Sequence, residues 1–377
     1  MAAAMTASSF TASAVADPAA APAPVSEEAH HRSTQQAMDA AVKDGVPGVT
    51  GQAVDKYGTW NGTSGVGDLK TQKPRDAQDR YRVASITKTF VATVLLQLEA
   101  EGEIDLDDTV EQWLPGVVRG HGHDGSKITV RRLLNHTSGI YNWTLDPEIQ
   151  RTVFDKEFLR DRYDTWTPEQ QVRVAMRNKP DFEPGKGWNY SDTNYILAGM
   201  IIKKATGHTY GDEIRQRIIE PLGLHATSVP GTDPHLPQPS SRAYAKFRAP
   251  EQKETYDVTE YNPSVAGAAG EMISNSADLN RFFRALLRAE LLPKEQLDEM
   301  MTTVLMDEEH PNLRYGLGLR QSKTSCGKEI WAHGGGFHGT TALAATTRDG
   351  NHGLAFNFNG NWAGDIDAVI DAEFCGK

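Results

Sequence analysis

Ser85 and Lys88 stand three residues apart in RVASITKTFVATVLLQLEAEG, at the head of an apolar run that reads as a helix. On a helix such positions share a face, so a hydroxyl and an amine can meet if the helix starts at or just before the serine. The chemistry on offer is nucleophilic. A serine attacks once a base lies within hydrogen-bond reach, and a covalent acyl intermediate divides one hard step into two. A lysine serves as that base only when partly neutral, and since its ordinary pKa is about 10.4, burial at the foot of an apolar helix is the natural adjustment. Alone, Ser85-Ile86-Thr87-Lys88 is a weak signal, because serine is also a common helix cap and a lysine after it is usually solvated.

Three later segments add polar groups in a fixed order. PGKGWNYSDTNYILAGMIIKKATG places Tyr190 and then Asp192 on a glycine-bounded loop just before a helix, RYGLGLR ends in Arg320 on a strand, and AHGGGFHG gives His333 followed by Gly334, Gly335 and Gly336. Each has an ordinary explanation, since a strand arginine is usually solvated or salt-bridged and a lone histidine is usually a satisfied core residue. The order of the set outweighs those readings.

The elements that must position these residues follow from hydrophobic pattern. After Ser85, Phe90, Val91, Val94, Leu95 and Leu98 form an apolar face too wide for an exposed helix, with Gly102 where it would stop, so this helix is expected to be central. PGVTGQAVDKYGTWNGTSGVG reads as two strands broken by turn residues. ITVRRLLNHTSGI, TPEQQVRVAMRN, TNYILAGMIIKKATG, YGDEIRQRIIEPLG and NSADLNRFFRALLRAELL read as helical. RYGLGLRQ, IWAHGGGFHGTTALAATTRDG and HGLAFNFNGN read as strands, before a closing helix that ends at Cys375. The fold class is therefore α+β: an antiparallel sheet built from both chain ends, flanked by helices, with a mostly helical insertion between.

Chain-wide properties narrow the function. A chain of 377 residues can bury a large core, and a formal net charge of −11 argues against nucleic acid, whose non-specific binding rests on clustered lysine and arginine. No run of about 18 apolar residues suggests a membrane span. Residues 1–30 are Ala- and Pro-rich, with AVA before Asp17 as a signal-peptidase site, and read as an export-signal remnant and leader ahead of a catalytic domain over 31–376. Cys326 and Cys375 are the only cysteines. In an oxidising compartment a bridge between them would tie down the chain end, worth about 3–4 kcal/mol, the alternative being two unrelated thiols.

From about residue 30 to EFCGK, the chain resembles the exported serine D-alanyl-D-alanine carboxypeptidases, which share fold and motifs with class C β-lactamases. The resemblance includes ITVRRLLNHTSGI, YSDTNYILAGM, YGLGLR and both cysteines, and follows the order Ser-x-x-Lys, Tyr-x-Asn, then Lys- or His-Thr-Gly. It implies Ser85 as nucleophile, Lys88 as an aid in removing its proton, and Tyr190 as the group that protonates the leaving atom and serves again in deacylation. It implies an oxyanion site from the backbone amides of Ser85 and Gly336, and substrate contacts from Asp192, Arg320, His333, Gly334 and Gly335. Arg320 would hold a terminal carboxylate, and the glycines would let substrate lie along the strand.

Two positions depart from the family pattern. Asp192 replaces an asparagine, and its carboxylate would favour a charged Lys88 and shift the base role toward Tyr190; reading Ser191-Asp192-Thr193 as a Ser-Asp-Asn set fails at its third residue. Gly334 replaces a threonine that would touch the substrate carboxylate, a change that D-stereospecific peptidases, amidases and esterases of the superfamily tolerate more readily. HGGGF echoes an esterase oxyanion motif, but no Gly-x-Ser-x-Gly accompanies it. His121, His123 and Asp124 in RGHGHDG read as a flexible surface loop rather than a metal site.

The expected activity is acyl-enzyme hydrolysis of D-configured peptides, as a D-alanyl-D-alanine carboxypeptidase or related D-peptidase. The alternatives are a class C-like β-lactamase, an esterase or D-amidase of the same fold, or a non-catalytic penicillin or peptidoglycan sensor. The expected partners are D-amino-acid-terminated peptide or peptidoglycan, with β-lactams as inhibitors or substrates. The chain is expected to be secreted and monomeric, with no cofactor and no metal.

Overall fold

The computed structural model describes residues 30–247 and 254–376. The expected cleavage site and all of the leader but His30 lie outside the described residues.

Strands β1 (Gly48–Asp55) and β2 (Gly58–Gly65) form an N-terminal hairpin. Six further strands come late in the chain: β3 (Val304–Leu305), β4 (Arg314–Tyr315), β5 (Arg320–Lys323), β6 (Glu329–Phe337), β7 (Thr340–Thr346) and β8 (Gly353–Phe358). Together they make one eight-stranded antiparallel sheet, in the order β2-β1-β8-β7-β6-β5-β4-β3. The join between chain ends is the β1–β8 pairing, with Val49 opposite Phe358. This is the expected α+β architecture, and residues 66–303 carry the mainly helical insertion.

Period-two alternation decides which layer each strand serves. Leu354, Phe356 and Phe358 point toward helices α1 (Arg32–Lys43) and α5 (Ile366–Cys375), packing with Met38, Val369 and Phe374. On the other face Ala342, Ala344 and Ala355 leave room for helix α4 (Ser276–Leu287). That helix presents Leu279, Phe282, Phe283 and Leu286 at spacings of three and four, and Asn275 caps it by accepting from the Asp278 amide. Each such side chain taken out of water contributes about 1.5–3 kcal/mol.

Helix α2 (Thr87–Ala100) is the central helix that its sequence indicates, buried without a break from Thr87 to Leu96. Phe90 stacks on Phe282 of α4 at 3.6 Å between ring centres. Gly102, with φ +76, takes the chain away from the helix end.

Two local readings need correction. Helix α1 is absent from the sequence reading, because RSTQQAMDAAVK carries few large apolar residues; it holds by burying Thr34, Met38 and Ala41. RYGLGLRQ is a hairpin, not one strand, turning between β4 and β5. A side chain at Gly316 would strike the Met300 carbonyl at 2.1 Å, and Gly318 has φ +70, so only glycine makes this turn against its neighbours. The Cys326–Cys375 disulfide is formed, joining the β5–β6 connection to the end of α5. Among the described residues no helix is long and apolar enough to cross a membrane.

Candidate active site

Ser85 sits in a single 3-10 turn, Ala84–Ile86, that leads directly into α2. Ala84 has φ +46, a conformation that costs a non-glycine residue energy and marks the turn as held by its surroundings. Those surroundings are β6. A Cβ on Gly335 would lie 2.0 Å from the Val83 carbonyl and 3.0 Å from the Ser85 amide, so glycine is what lets the strand lie against the serine turn. β6 pairs with β5 only as far as Ala332, while its pairing with β7 runs on to Phe337. The edge from His333 to Phe337 therefore has no second strand among the described residues.

Lys88 is fully buried and donates to three acceptors: Ser85 Oγ at 3.0 Å, Asp192 Oδ1 at 2.6 Å and the Ala269 carbonyl at 2.7 Å. An ammonium has three hydrogens, and all are used. Its nitrogen also lies 4.8 Å from the centre of the Tyr190 ring. The Tyr190 hydroxyl bonds Ser85; burial and the Asp192 charge push its pKa well above the usual phenol value, against smaller opposing effects of Ser85 and Arg320. Tyr190 is thus a proton donor at rest.

The loop with Tyr190 and helix α3 (Asp192–Thr206) are fastened to the segment His136–Trp143. His136 Nδ1 accepts from the Ser191 amide at 3.2 Å and from Asn194 Nδ2 at 3.1 Å. Ser138 donates to Asn194 at 2.7 Å, and Asn142 Oδ1 accepts from the Asp192 amide at 3.2 Å. A Cβ on Gly139 would lie 2.1 Å from the Phe182 carbonyl, so the interlock again depends on glycine. With Nδ1 accepting twice, the His136 proton belongs on Nε2, which is buried without a partner among the described residues. Burial first, then the charges of Lys88, His333 and Arg320, hold this imidazole well below its usual pKa.

The structure separates the expected site residues into two groups. Ser85, Asp192 and Gly336 line one apolar cleft with Trp143, Phe154, Val265 and Phe337, and Lys88 and Tyr190 contact Ser85 from behind. His333 does not line this cleft. It is buried, with Tyr315 Oη 2.8 Å from Nε2 and the Gly334 carbonyl 2.6 Å from Nδ1, and burial leads the effects that lower its pKa to about 3. It is a neutral histidine that braces β6 against β4. Alternation places Gly334 on the sheet face opposite His333. Arg320, half-buried beside Tyr190 and Tyr315, makes no hydrogen bond or ion pair among the described residues.

Sequence reading missed His136 and Ala269. The first stood in a quoted motif with no role attached, and the second acts through a backbone carbonyl, for which no side-chain signal exists. His121 and His123 bind the Met176 and Asn178 carbonyls from a short hairpin, so the segment is anchored rather than flexible. No group of three metal-capable side chains occurs among the described residues.

The arrangement can carry out acyl transfer: a hydroxyl flanked by an amine and a phenol, beneath an apolar cleft with a free strand edge. The profile of the family described as beta-lactamase matches residues 32–371. The chain belongs to the beta-lactamase family.

Within this family the chain is 60% identical to the D-stereospecific amidohydrolase from Streptomyces sp., with a TM-score of 0.88 over 92% of this chain and 99% of that one. It is 29% identical to the D-amino acid amidase from Ochrobactrum anthropi SV3 complexed with D-phenylalanine, with a TM-score of 0.78 over 92% of this chain and 99% of that one. It is also 29% identical to Penicillin-binding protein 4* of Bacillus subtilis (strain 168) over 74% of this chain, and spans 60% of that relative. The beta-lactamase-family chain is a hydrolase of the serine β-lactamase fold.

Proposed function

We propose that the protein is a D-stereospecific amidohydrolase, which acylates Ser85 with a D-aminoacyl group and releases an amine or ammonia. The observation that carries this reading is the 60% identity, over nearly the whole chain, to an amidohydrolase of that stereospecificity. The walls formed by Trp143, Phe154, Val265 and Phe337 support an apolar or aromatic side chain on the acyl residue.

In this scheme the resting Lys88 ammonium must lose a proton before it can accept one. Asp192, 2.6 Å away, is the acceptor within reach. The neutral amine takes the Ser85 proton as Oγ bonds the amide carbon. The oxyanion is held by the amides of Ser85 and Gly336. Tyr190 gives its proton to the departing nitrogen as the C–N bond breaks, and Lys88 restores it. Water repeats the sequence on the ester, with Tyr190 serving again.

The test is hydrolysis of D- and L-phenylalanine amide beside a D-Ala-D-Ala peptide and benzylpenicillin, followed by intact mass. Preferential turnover of the D-amide with a transient adduct on Ser85 is expected; preference for the L-amide overturns the reading. The second reading, a D-alanyl-D-alanine carboxypeptidase, is favoured by Arg320, which has no hydrogen-bond or ion-pair partner among the described residues and suits a terminal carboxylate. Faster turnover of the D-Ala-D-Ala peptide than of any amide would establish it instead. The disulfide supports an exported protein.

A further inference from the structure

Glu271 is a buried carboxyl that the proposed reaction does not use. It follows the turn Gly267–Ala269, one side of which presents the Ala269 carbonyl to Lys88. The other side faces a separate cleft of about 910 Å³, and Glu271 is part of that cleft's lining. The two clefts share no lining residue.

The second cleft is mainly apolar, with Leu114, Ile196, Met200 and Val229 among its walls and the rings of Trp166 and Tyr210 beside them. The Tyr210 hydroxyl donates to Glu271 Oε1, and the Gly231 amide also donates to this carboxyl. Those two hydrogen bonds leave lone pairs on a carboxylate, which has about four acceptor positions. The other charge that acts on Glu271 is Arg82. The cleft's remaining charges, Lys203, Lys204, Arg215, Glu169 and Asp212, lie toward solvent, where screening weakens them.

We propose that this cleft is a second ligand site that takes an apolar primary amine, with its ammonium against Glu271 and its hydrocarbon body along Ile196, Met200 and Val229. An ammonium supplies the donors that the carboxylate lacks, in a cleft that the rings of Tyr210 and Trp166 also line. An apolar anion of the same size would set like charge beside Glu271. Burial, only partly offset by Tyr210, Gly231 and Arg82, raises the Glu271 pKa to about 7, so the pocket exchanges a proton for the incoming cation. Binding then strengthens as pH rises through about 7, as Glu271 ionises while the amine stays charged.

The experiment is calorimetric titration of 2-phenylethylamine into the full chain and three variants. One saturable site is expected in the wild type, weakened at least tenfold by Glu271→Gln, lost on filling the cleft with Met200→Trp, and kept in Asp192→Asn. Affinity should fall between about pH 8 and pH 5.5. Thermal melts and mass labelling of Ser85 confirm that each variant folds, and Met200→Gln replaces the tryptophan variant if that one does not. Binding that survives Met200→Trp but is lost in Asp192→Asn puts the amine in the catalytic cleft and overturns the proposal. So does octanoate binding in place of the amine, or no saturable binding at all.

Discussion

Two buried charges on opposite faces of the sheet are held in mirror-image ways. Between the terminal helices, Glu373 accepts from Thr34 at 2.7 Å and lies 2.9 Å from His31 Nδ1 and 2.6 Å from His352 Nε2. On the other face, Lys88 donates to Asp192, Ala269 and Ser85. An anion has three donors in one case, and a cation has three acceptors in the other. The difference lies in the partners. The groups around Glu373 only hold it, and although burial alone would raise its pKa, those hydrogen bonds lower it to about 2. One partner of Lys88 is a hydroxyl at the floor of an open cleft, and nearby Arg320, His136 Nε2 and Trp188 Nε1 have no partner among the described residues. Saturating a charge makes a clasp where every partner is inert; at Lys88 one partner is a hydroxyl facing a cleft, which is the arrangement the proposed reaction needs.

The sharpest way to break this comparison is to alter the attacking partner. Ser85→Ala should lower hydrolytic turnover by up to about a millionfold and abolish acyl labelling, with no loss of thermal stability. Comparable labelling at another residue would remove Ser85 from its role. Glu373→Ala should do the reverse, costing about 3–5 kcal/mol in denaturant unfolding while kcat stays unchanged. A linked test is pH. Because the folded-state pKa of Glu373 lies below its ordinary 4.5, its contribution is present above 4.5 and lost as pH falls toward about 2, roughly 3 kcal/mol in all. Acid melts of Glu373→Gln should lack that loss.

Asp192→Asn probes whether the cation's partner is reactive or only a clamp. If Asp192 relieves Lys88 of its proton, turnover should fall about a hundredfold with KM little changed. Unaltered or improved turnover would reduce Asp192 to a positioning residue. The smallest expected effect is Arg320→Gln, a rise of about tenfold in KM for substrates ending in a carboxylate and no change for amides. A similar rise for both classes would place Arg320 in general support of the site.

Where side chains announce themselves by type and spacing, the site was legible. Ser85, Lys88, Tyr190 and Asp192 meet as expected because a helix start fixes the first pair and a helix N-terminus fixes the second. The sheet's central strands were readable too, since Leu354, Phe356 and Phe358 alternate plainly, whereas its short edge strand Val304–Leu305 and the hairpin in RYGLGLRQ were not. The failures share a physical cause. α1 is stabilised by contacts with the far end of the chain, so its own sequence shows little periodic apolar signal. Ala269 contributes a carbonyl, which every residue has. His333 has the right type and place, but hydrogen bonds to Tyr315 and Gly334 turn it from the cleft, and only the fold shows that.

The β1–β8 pairing also has a consequence for when the centre can assemble as the chain emerges. Val49 finds Phe358 only after about three hundred residues have been added, and Gly335 must arrive before the Ser85 turn has its neighbour. A nascent chain lacking its last strands has the serine and the lysine yet no completed centre. A chain truncated before β6 should therefore be inert toward any amide it meets, which expression of that truncation beside the full chain would check.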